Sequence, residues 1–351
     1  MISVILAAAL FFTGCGSEDP VSIILFIGDG MGVSHVTWDY YSNKDTPFKK
    51  FPVVGLVATD PGGESVVGES AASATALATG VKVRKGVISV DENGRSLKTV
   101  IEYAEGKGMS TGIVTTTSVT HATPAAFIAH VLNRGMEYDI AAQICTSGVD
   151  VIMGGGIRFF ENNIKLDTNL IEIMKDNGYY YVSNYSQLEK VDTESLDKLL
   201  GLFAYEGLKR ANMRTLSLLE MTRVAVSILD NNERGFFLMV EGGQIDWRGH
   251  ERDEKGFVYE MKDFTDAVNW ALEYRKGKKN VLILVTADHE TGGLILKEKF
   301  TGSLKLKPVF TTGEHTATFC PLFAVGPGQE EFCGLLELKD VGKTIIKKIL
   351  Q

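Results

Sequence analysis

Five short apolar runs constrain this chain most. Ser22-Ile23-Ile24-Leu25-Phe26-Ile27, Thr111–Thr115, Val149–Met153, Phe236–Val240 and Val281–Val285 each have the length of a strand, and each is followed by Gly, Thr or an acid. A run that is apolar at successive positions, rather than at alternate ones, belongs to a strand covered on both faces. Between the runs, apolar residues at three- and four-residue steps predict helices, as over Ser96–Lys107 and Leu216–Asn231. Strand alternating with helix predicts an α/β fold with a mostly parallel central sheet sandwiched between helices.

In such sheets ligands collect outside the carboxyl ends of the strands. Asp29, Thr115 to Thr117, Glu241 and Asp288 all fall at that position, and packing does not explain oxygen ligands at four strand ends. Residues 156–211 differ from the rest, being polar and rich in Asn, Asp, Tyr and Lys, with a helix expected over Ser195–Phe203. They read as an insertion or lid beside the sheet, within a single catalytic domain spanning 22–351.

A composition of 44% apolar and 23% charged residues, with 37 Gly against 8 Pro, is globular rather than disordered. The net charge of −8, with basic residues scattered, argues against an extended nucleic-acid or anionic-membrane footprint. An anionic substrate would have to be met by local charge, which bound cations can supply.

Residues 2–12 are apolar but for one serine, too short to span a bilayer, and end at Thr13-Gly14-Cys15. They read as the core of a signal peptide covering 1–15. Phe12-Thr13-Gly14-Cys15 resembles a bacterial lipobox, with Cys15 as the lipidated residue and 16–21 as a tether, although no Lys or Arg precedes the apolar core and Phe12 replaces the usual Leu. The expected location is therefore periplasmic or outer-membrane-anchored, with no membrane attachment besides Cys15. Cys145, Cys320 and Cys333 are odd in number and lack CxxC spacing, so neither a disulfide framework nor a thiolate metal site is indicated. A Cys320–Cys333 bridge and free buried thiols both stay open.

The run Gly68-Glu69-Ser70-Ala71-Ala72-Ser73-Ala74-Thr75-Ala76 is built from small side chains with one acid before a serine. It suits the start of a tightly packed helix that holds a hydroxyl against something charged; a plain buried Ala/Ser helix is the simpler alternative. Elsewhere, Glu241 is followed by Asp246 and His250 at i, i+4, Asp288-His289 follows a buried strand, and Glu314-His315 precedes another apolar run. That pairing on a helical turn suits a divalent metal, and a metal makes a serine a strong nucleophile. His35 and His130 have no partner acid at ligand spacing and read as structural. In Thr120–Arg134, Thr123 reads as the N-cap of a helix with Pro124 in its first turn. Arg134 would then lie about three turns along, roughly 15 Å from the helix start, within reach of an anion.

These motifs, with Gly28-Asp29-Gly30-Met31-Gly32, Thr79-Gly80-Val81-Lys82, Lys198–Phe203, Thr286-Ala287-Asp288-His289 and His315-Thr316, occur in order from Ile23 to Ile346, and the chain resembles the bacterial alkaline phosphatases. The resemblance implies a metal-dependent phosphate-monoester hydrolase that releases inorganic phosphate through a phosphoserine at Ser70. It implies a zinc on Asp29, Asp288 and His289, a second zinc on Asp246, His250 and His315, and a third site, usually magnesium, on Asp29, Thr123 and Glu241. Arg134 would clamp the phosphoryl oxygens. Glu69 stands where an Asp usually orients that arginine, which leaves the contact open. His121 and Trp247 replace an acid and a lysine behind the ligands, a pairing similar to that of marine bacterial relatives, and make zinc the alternative at the third site. The rivals are a phosphodiesterase of the same superfamily and an inactive lipid-anchored binding protein; a sulfatase would be expected to show a Cys/Ser-x-Pro-x-Arg motif, which is missing.

Overall fold

Ser22–Ile27 forms β1, the centre of the molecule, and all six of its residues are buried. Ile23, Leu25 and Ile27 enter one apolar core and Ile24 and Phe26 the other, which is why the run is apolar without alternation. In this computed structural model, which describes residues 21–300 and 306–351, the remaining strands are β2 (Val53–Ala58), β3 (Ser110–Ser118), β4 (Val151–Gly155), β5 (Tyr180–Val182), β6 (Leu199–Leu202), β7 (Phe236–Glu241), β8 (Val281–Thr286), β9 (Glu290–Thr291), β10 (Leu294–Glu298), β11 (Leu306–Phe310), β12 (His315–Thr316), β13 (Cys320–Val325) and β14 (Gly334–Glu337). Ten of them make one sheet in the order β14-β2-β13-β8-β1-β7-β3-β4-β6-β5. All its pairs are parallel except the two made by β13. The helices Ser70–Thr79, Val100–Gly106, Ala122–Ile128, Glu137–Thr146 and Leu338–Leu350 contribute to one core, and Leu218–Leu229 and Glu254–Arg275 to the other. The α/β fold expected from the five runs is the fold observed.

Two expectations are corrected in residues 156–211. Leu199–Leu202 is a strand, not part of a helix, and its four residues are buried. With β5 it forms the last two strands of the sheet beyond β4, so the segment extends the sheet instead of lying beside it. Its polar composition belongs to the exposed faces of the short helices Ile157–Glu161, Leu170–Asp176 and Tyr185–Leu188 and to the loops that join them to the strands.

Register brings the strand ends level. Ile27 pairs with Glu241 on one side and Thr286 on the other, and Thr115 also pairs with Glu241. Asp29, Thr115, Glu241 and Asp288 therefore emerge at one edge. Cys145 and Cys320 are buried free thiols, and Cys333 is free and exposed, so no bridge joins the last two. No helix among the described residues is long and apolar enough to cross a membrane, and residues 1–20, with Cys15 and most of the expected tether, lie outside the described residues.

Candidate active site

Ser70 opens the helix Ser70–Thr79, in which all ten residues are buried. Small side chains permit this close packing, and the C-terminal helix approaches so tightly that a Cβ on Gly342 would lie 2.5 Å from the Ala76 carbonyl oxygen. Glu69, in extended conformation, caps the helix by accepting from the Ala72 N–H at 3.3 Å. Ser70 itself is 2% exposed, its Oγ 3.2 Å from His289 Nε2.

Three groups of side chains converge beside it. In the first, His289 Nε2 lies 3.3 Å from Asp29 Oδ1 and 3.3 Å from Asp288 Oδ2. In the second, carried by the helix Gln244–Glu251 and β12, His250 Nε2 is 3.3 Å from Asp246 Oδ2, His315 Nε2 is 3.5 Å from Asp246 Oδ1, and the two Nε2 atoms are 3.1 Å apart. Carbonyl oxygens of Gly313 and Gly68 meet the Nδ1 atoms of His250 and His315 at 2.7 and 3.0 Å, and protons donated there leave Nε2 free as a ligand. His289 stacks on His315 with ring centres 3.7 Å apart and joins the two groups. In the third, Glu241 accepts from the Thr115 hydroxyl and, at 3.1 Å, from Thr117, and shares a cluster with Asp29 and His121.

Several buried polar atoms in and around these groups lack partners of their own. Both Asp29 oxygens, Asp288 Oδ2, Glu241 Oε1 and Thr123 Oγ1, together with His121 Nδ1, have no hydrogen bond. Burying anionic oxygens unpaired is strongly unfavourable. Burial and the neighbouring Asp288 push the Asp29 carboxyl well up, while burial, reinforced by neighbouring carboxylates, raises Glu241 and Asp288 to about 7. Burial also acts on Asp246, but hydrogen bonds from His250 and His315 outweigh it and hold that carboxyl low. Burial and His315 lower His289 to about 3, keeping the ring in the neutral form that binds metal. This donor set of carboxylates and neutral imidazoles, with orphaned oxygens facing one another, fits divalent cations.

The 3.2 Å contact of Ser70 with His289 also invites comparison with a Ser-His-Asp triad. A triad places serine on one ring nitrogen and the acid on the other. Here both Asp29 and Asp288 crowd Nε2, the nitrogen facing Ser70, and Nδ1 meets only the Thr291 hydroxyl at 3.2 Å. That arrangement suits a shared ligand position better than a proton relay.

Arg134 reaches the cleft by a different route from the one expected. The helix ends at Ile128, and Arg134 lies in the loop beyond, because Val131 pairs with Ile88 and the His130 N–H donates to Gln143 instead of continuing the helix. The N-cap is His121, not Thr123, which lies inside the first turn. Glu69 is long enough to reach the arginine: Oε1 binds Arg134 Nη1, while Oε2 accepts the Gly86 N–H at 3.0 Å. The second Arg134 nitrogen lies 2.9 Å from His121 Nε2. Trp247 meets the His121 ring edge to face at 6.3 Å and rests on Gly207, where a Cβ would lie 2.4 Å from the indole. His121 thus stands among the third group as well as behind it.

Ser70, the second group and the arginine clamp open into a cleft of about 450 Å³ lined by Ser70, Glu69, Arg134, His121, Asp246, Trp247, His250 and His315, with Val67, Gly68, Lys85 and Glu314 at its remaining walls, while Asp29, Asp288, His289, Glu241 and Thr123 are fully buried. Sequence reading missed Thr291, whose hydroxyl donates to Asp246, and Lys85 and Glu314 as cleft residues. Position just after the Asp288-His289 strand end could have indicated Thr291; nothing local marks Lys85. His35 is buried against Phe257, and His130 lies 3.5 Å from Glu102, an acid supplied by another element, so neither joins the cleft.

The alkaline phosphatase family model matches residues 21–311. Alkaline phosphatase 3 of Bacillus subtilis is 40% identical over 95% of this chain and 90% of its own length. Among solved structures, the alkaline phosphatase of the Antarctic bacterium TAB5 superposes with a TM-score of 0.89 and 35% identity, covering 95% of this chain and 99% of that one. A histidine-to-glutamate variant of that enzyme, with magnesium in its M3 site, gives 0.86 at 34% identity over the same shares.

Proposed function

The chain belongs to the alkaline phosphatase family, and from that premise we propose that it hydrolyses phosphate monoesters through a phosphoserine at Ser70, with metals held by the three groups of ligands. One observation carries this reading: Ser70 Oγ faces the point where Asp29, Asp288 and His289 converge, in the same cleft as a guanidinium held by Glu69.

Zinc would sit on Asp29, Asp288 and His289 and on Asp246, His250 and His315. Magnesium would sit on Asp29, Glu241 and Thr123, a metal that the histidine-to-glutamate variant of the TAB5 enzyme carries in its M3 site, with zinc the alternative because this chain keeps a nitrogen donor, His121, in that cluster. Bound there, the cations would lower the pKa of the serine hydroxyl and neutralise charge on the attacking and leaving oxygens. Arg134 offers a planar fork to two phosphoryl oxygens, with Glu69 and His121 fixing its aim. Ser70 Oγ forms a bond to phosphorus as the alcohol leaves; water then cleaves the phosphoserine, returning the hydroxyl and releasing inorganic phosphate. A monoester brings three terminal oxygens to this set of charges and a diester only two, which favours the monoester.

The test compares p-nitrophenyl phosphate with bis-p-nitrophenyl phosphate, with and without chelator, alongside Ser70→Ala. Monoester turnover lost in Ser70→Ala and in chelator is the expected result. Comparable diester turnover would overturn the monoesterase reading, and chelator-resistant activity the metal assignment.

A further inference from the structure

The wall of the cleft carries a cation that the phosphoryl chemistry does not use. Arg84-Lys85-Gly86-Val87 is a reverse turn closed by the Val87 N–H on the Arg84 carbonyl at 3.3 Å, with Gly86 at φ +79°. A positive φ at the third position is what a type II turn requires. Nothing lies within 4 Å of a Cβ built on Gly86, so glycine is there for its dihedral and not for space.

Both backbone groups of Gly86 are tied to the anion clamp. Its N–H donates to Glu69 Oε2 at 3.0 Å, and its carbonyl accepts the Arg134 N–H at 2.8 Å. The backbone of Lys85 is thereby held at a set offset from Arg134, and its side chain lines the cleft. Lys82, three residues earlier, is neutralised by Asp60 and Glu337 at 2.7 and 2.8 Å, whereas Lys85 has no ion pair among the described residues. Glu314, next to His315, lines another part of the wall, so Lys85 and the clamp arginine stand on the same side of Ser70's cleft as Glu69 while Glu314 stands with the histidines. Ser70 is 2% exposed on the cleft floor while Lys85 is exposed. A lysine on that wall is open to a part of the ester that projects out of the phosphoryl site.

We propose that Lys85 is a specificity-determining residue that reads a second negative charge on the alcohol part of the ester, favouring monoesters whose leaving group carries another anion. This rests on the phosphomonoesterase reading above.

The experiment uses the metal-loaded enzyme with phenyl phosphate and 4-carboxyphenyl phosphate, comparing wild type with Lys85→Ala, Lys85→Glu and Lys85→Arg. For Lys85→Ala, kcat/KM on the carboxylated ester falls about threefold to fivefold, the scale of an exposed charge pair, while phenyl phosphate changes by less than about twofold. Lys85→Glu falls further, Lys85→Arg recovers, and added salt narrows the discrimination in the wild type. Equal losses on both esters would place Lys85 on the phosphoryl group and overturn the proposal, as would an unchanged ratio. Failure of the wild type to turn over either ester would instead overturn the phosphomonoesterase reading and this inference with it.

Discussion

At Glu69 one carboxylate serves two structures. Its Oε2 accepts the Ala72 and Gly86 N–H groups and its Oε1 binds Arg134, so the helix that presents Ser70 and the guanidinium across from it share an anchor. Burial pushes this carboxyl up in pKa, but Arg134 and the backbone donors outweigh burial and keep it ionised. Glu69→Gln retains the shape and removes the charge. Arg134 then loses its aim, and a guanidinium recognises a phosphoryl group only when its fork is aimed. The expected outcome is a rise of about fivefold in the inhibition constant for inorganic phosphate, the equivalent of one hydrogen bond of about 1 kcal/mol. Stability also falls by about 1 kcal/mol through the weakened cap. Competitive inhibition assays and urea titration separate the two effects; loss of stability with unchanged phosphate affinity would leave Glu69 a helix cap and nothing more.

The helix Ser70–Thr79 is an apolar-faced element with no exposed side at all, and its neighbours determine where Ser70 points. Gly342 of the C-terminal helix sits over its last turns, where a Cβ would lie 2.5 Å from the Ala76 carbonyl and 2.6 Å from the Leu77 carbonyl. Backbone cannot yield as a side chain can. Gly342→Ala should therefore cost about 1–3 kcal/mol by overpacking, less the gain of up to about 1 kcal/mol from removing a glycine inside a helix. Chemical denaturation should show a net loss, and kcat/KM should fall with it because the Ser70 helix must shift; a net gain in stability would show that the two helices can separate freely. The same scale shows what was legible in the chain. The five strand runs are readable because a strand covered on both faces is apolar throughout, and Asp29, Glu241 and Asp288 can be placed at one edge because they stand at the ends of those strands. Leu199–Leu202 was misread because four buried residues carry no period by which strand and helix differ. Arg134 lines the cleft but lies in a loop and not on the expected helix, since the contact that ends that helix, Val131 with Ile88, joins residues far apart in sequence. Lys85 was not legible at all: its position depends on a turn wired to Glu69 and Arg134, two distant segments that meet only in the folded chain.

On the scale of the whole molecule, the sheet places its greatest electrostatic burden at its centre. Asp29, Glu241 and Asp288 leave β1, β7 and β8, three adjacent strands, and all three are fully buried with unpartnered oxygens. Each of these carboxyls is pushed up in pKa, first by burial and then by repulsion from its neighbours. The fold is thus strained as long as nothing cationic lies between these groups, and cations that bind the folded state alone stabilise it by mass action, about 4 kcal/mol when free metal exceeds its dissociation constant a thousandfold. Chelation should therefore lower the melting temperature, with recovery on adding zinc and magnesium. Asp29→Asn distinguishes this account from ordinary damage to a core residue. In chelator the variant should melt above the chelated wild type, because one of the mutually repelling anions is gone. With metals restored it should melt below the wild type, because Asp29 belongs to two of the groups proposed to hold them. Calorimetry on both proteins in both states reads this crossing directly. If Asp29→Asn lowered the melting temperature equally with and without metal, the carboxylates would be held for packing alone, and the cation account of the central sheet would fail.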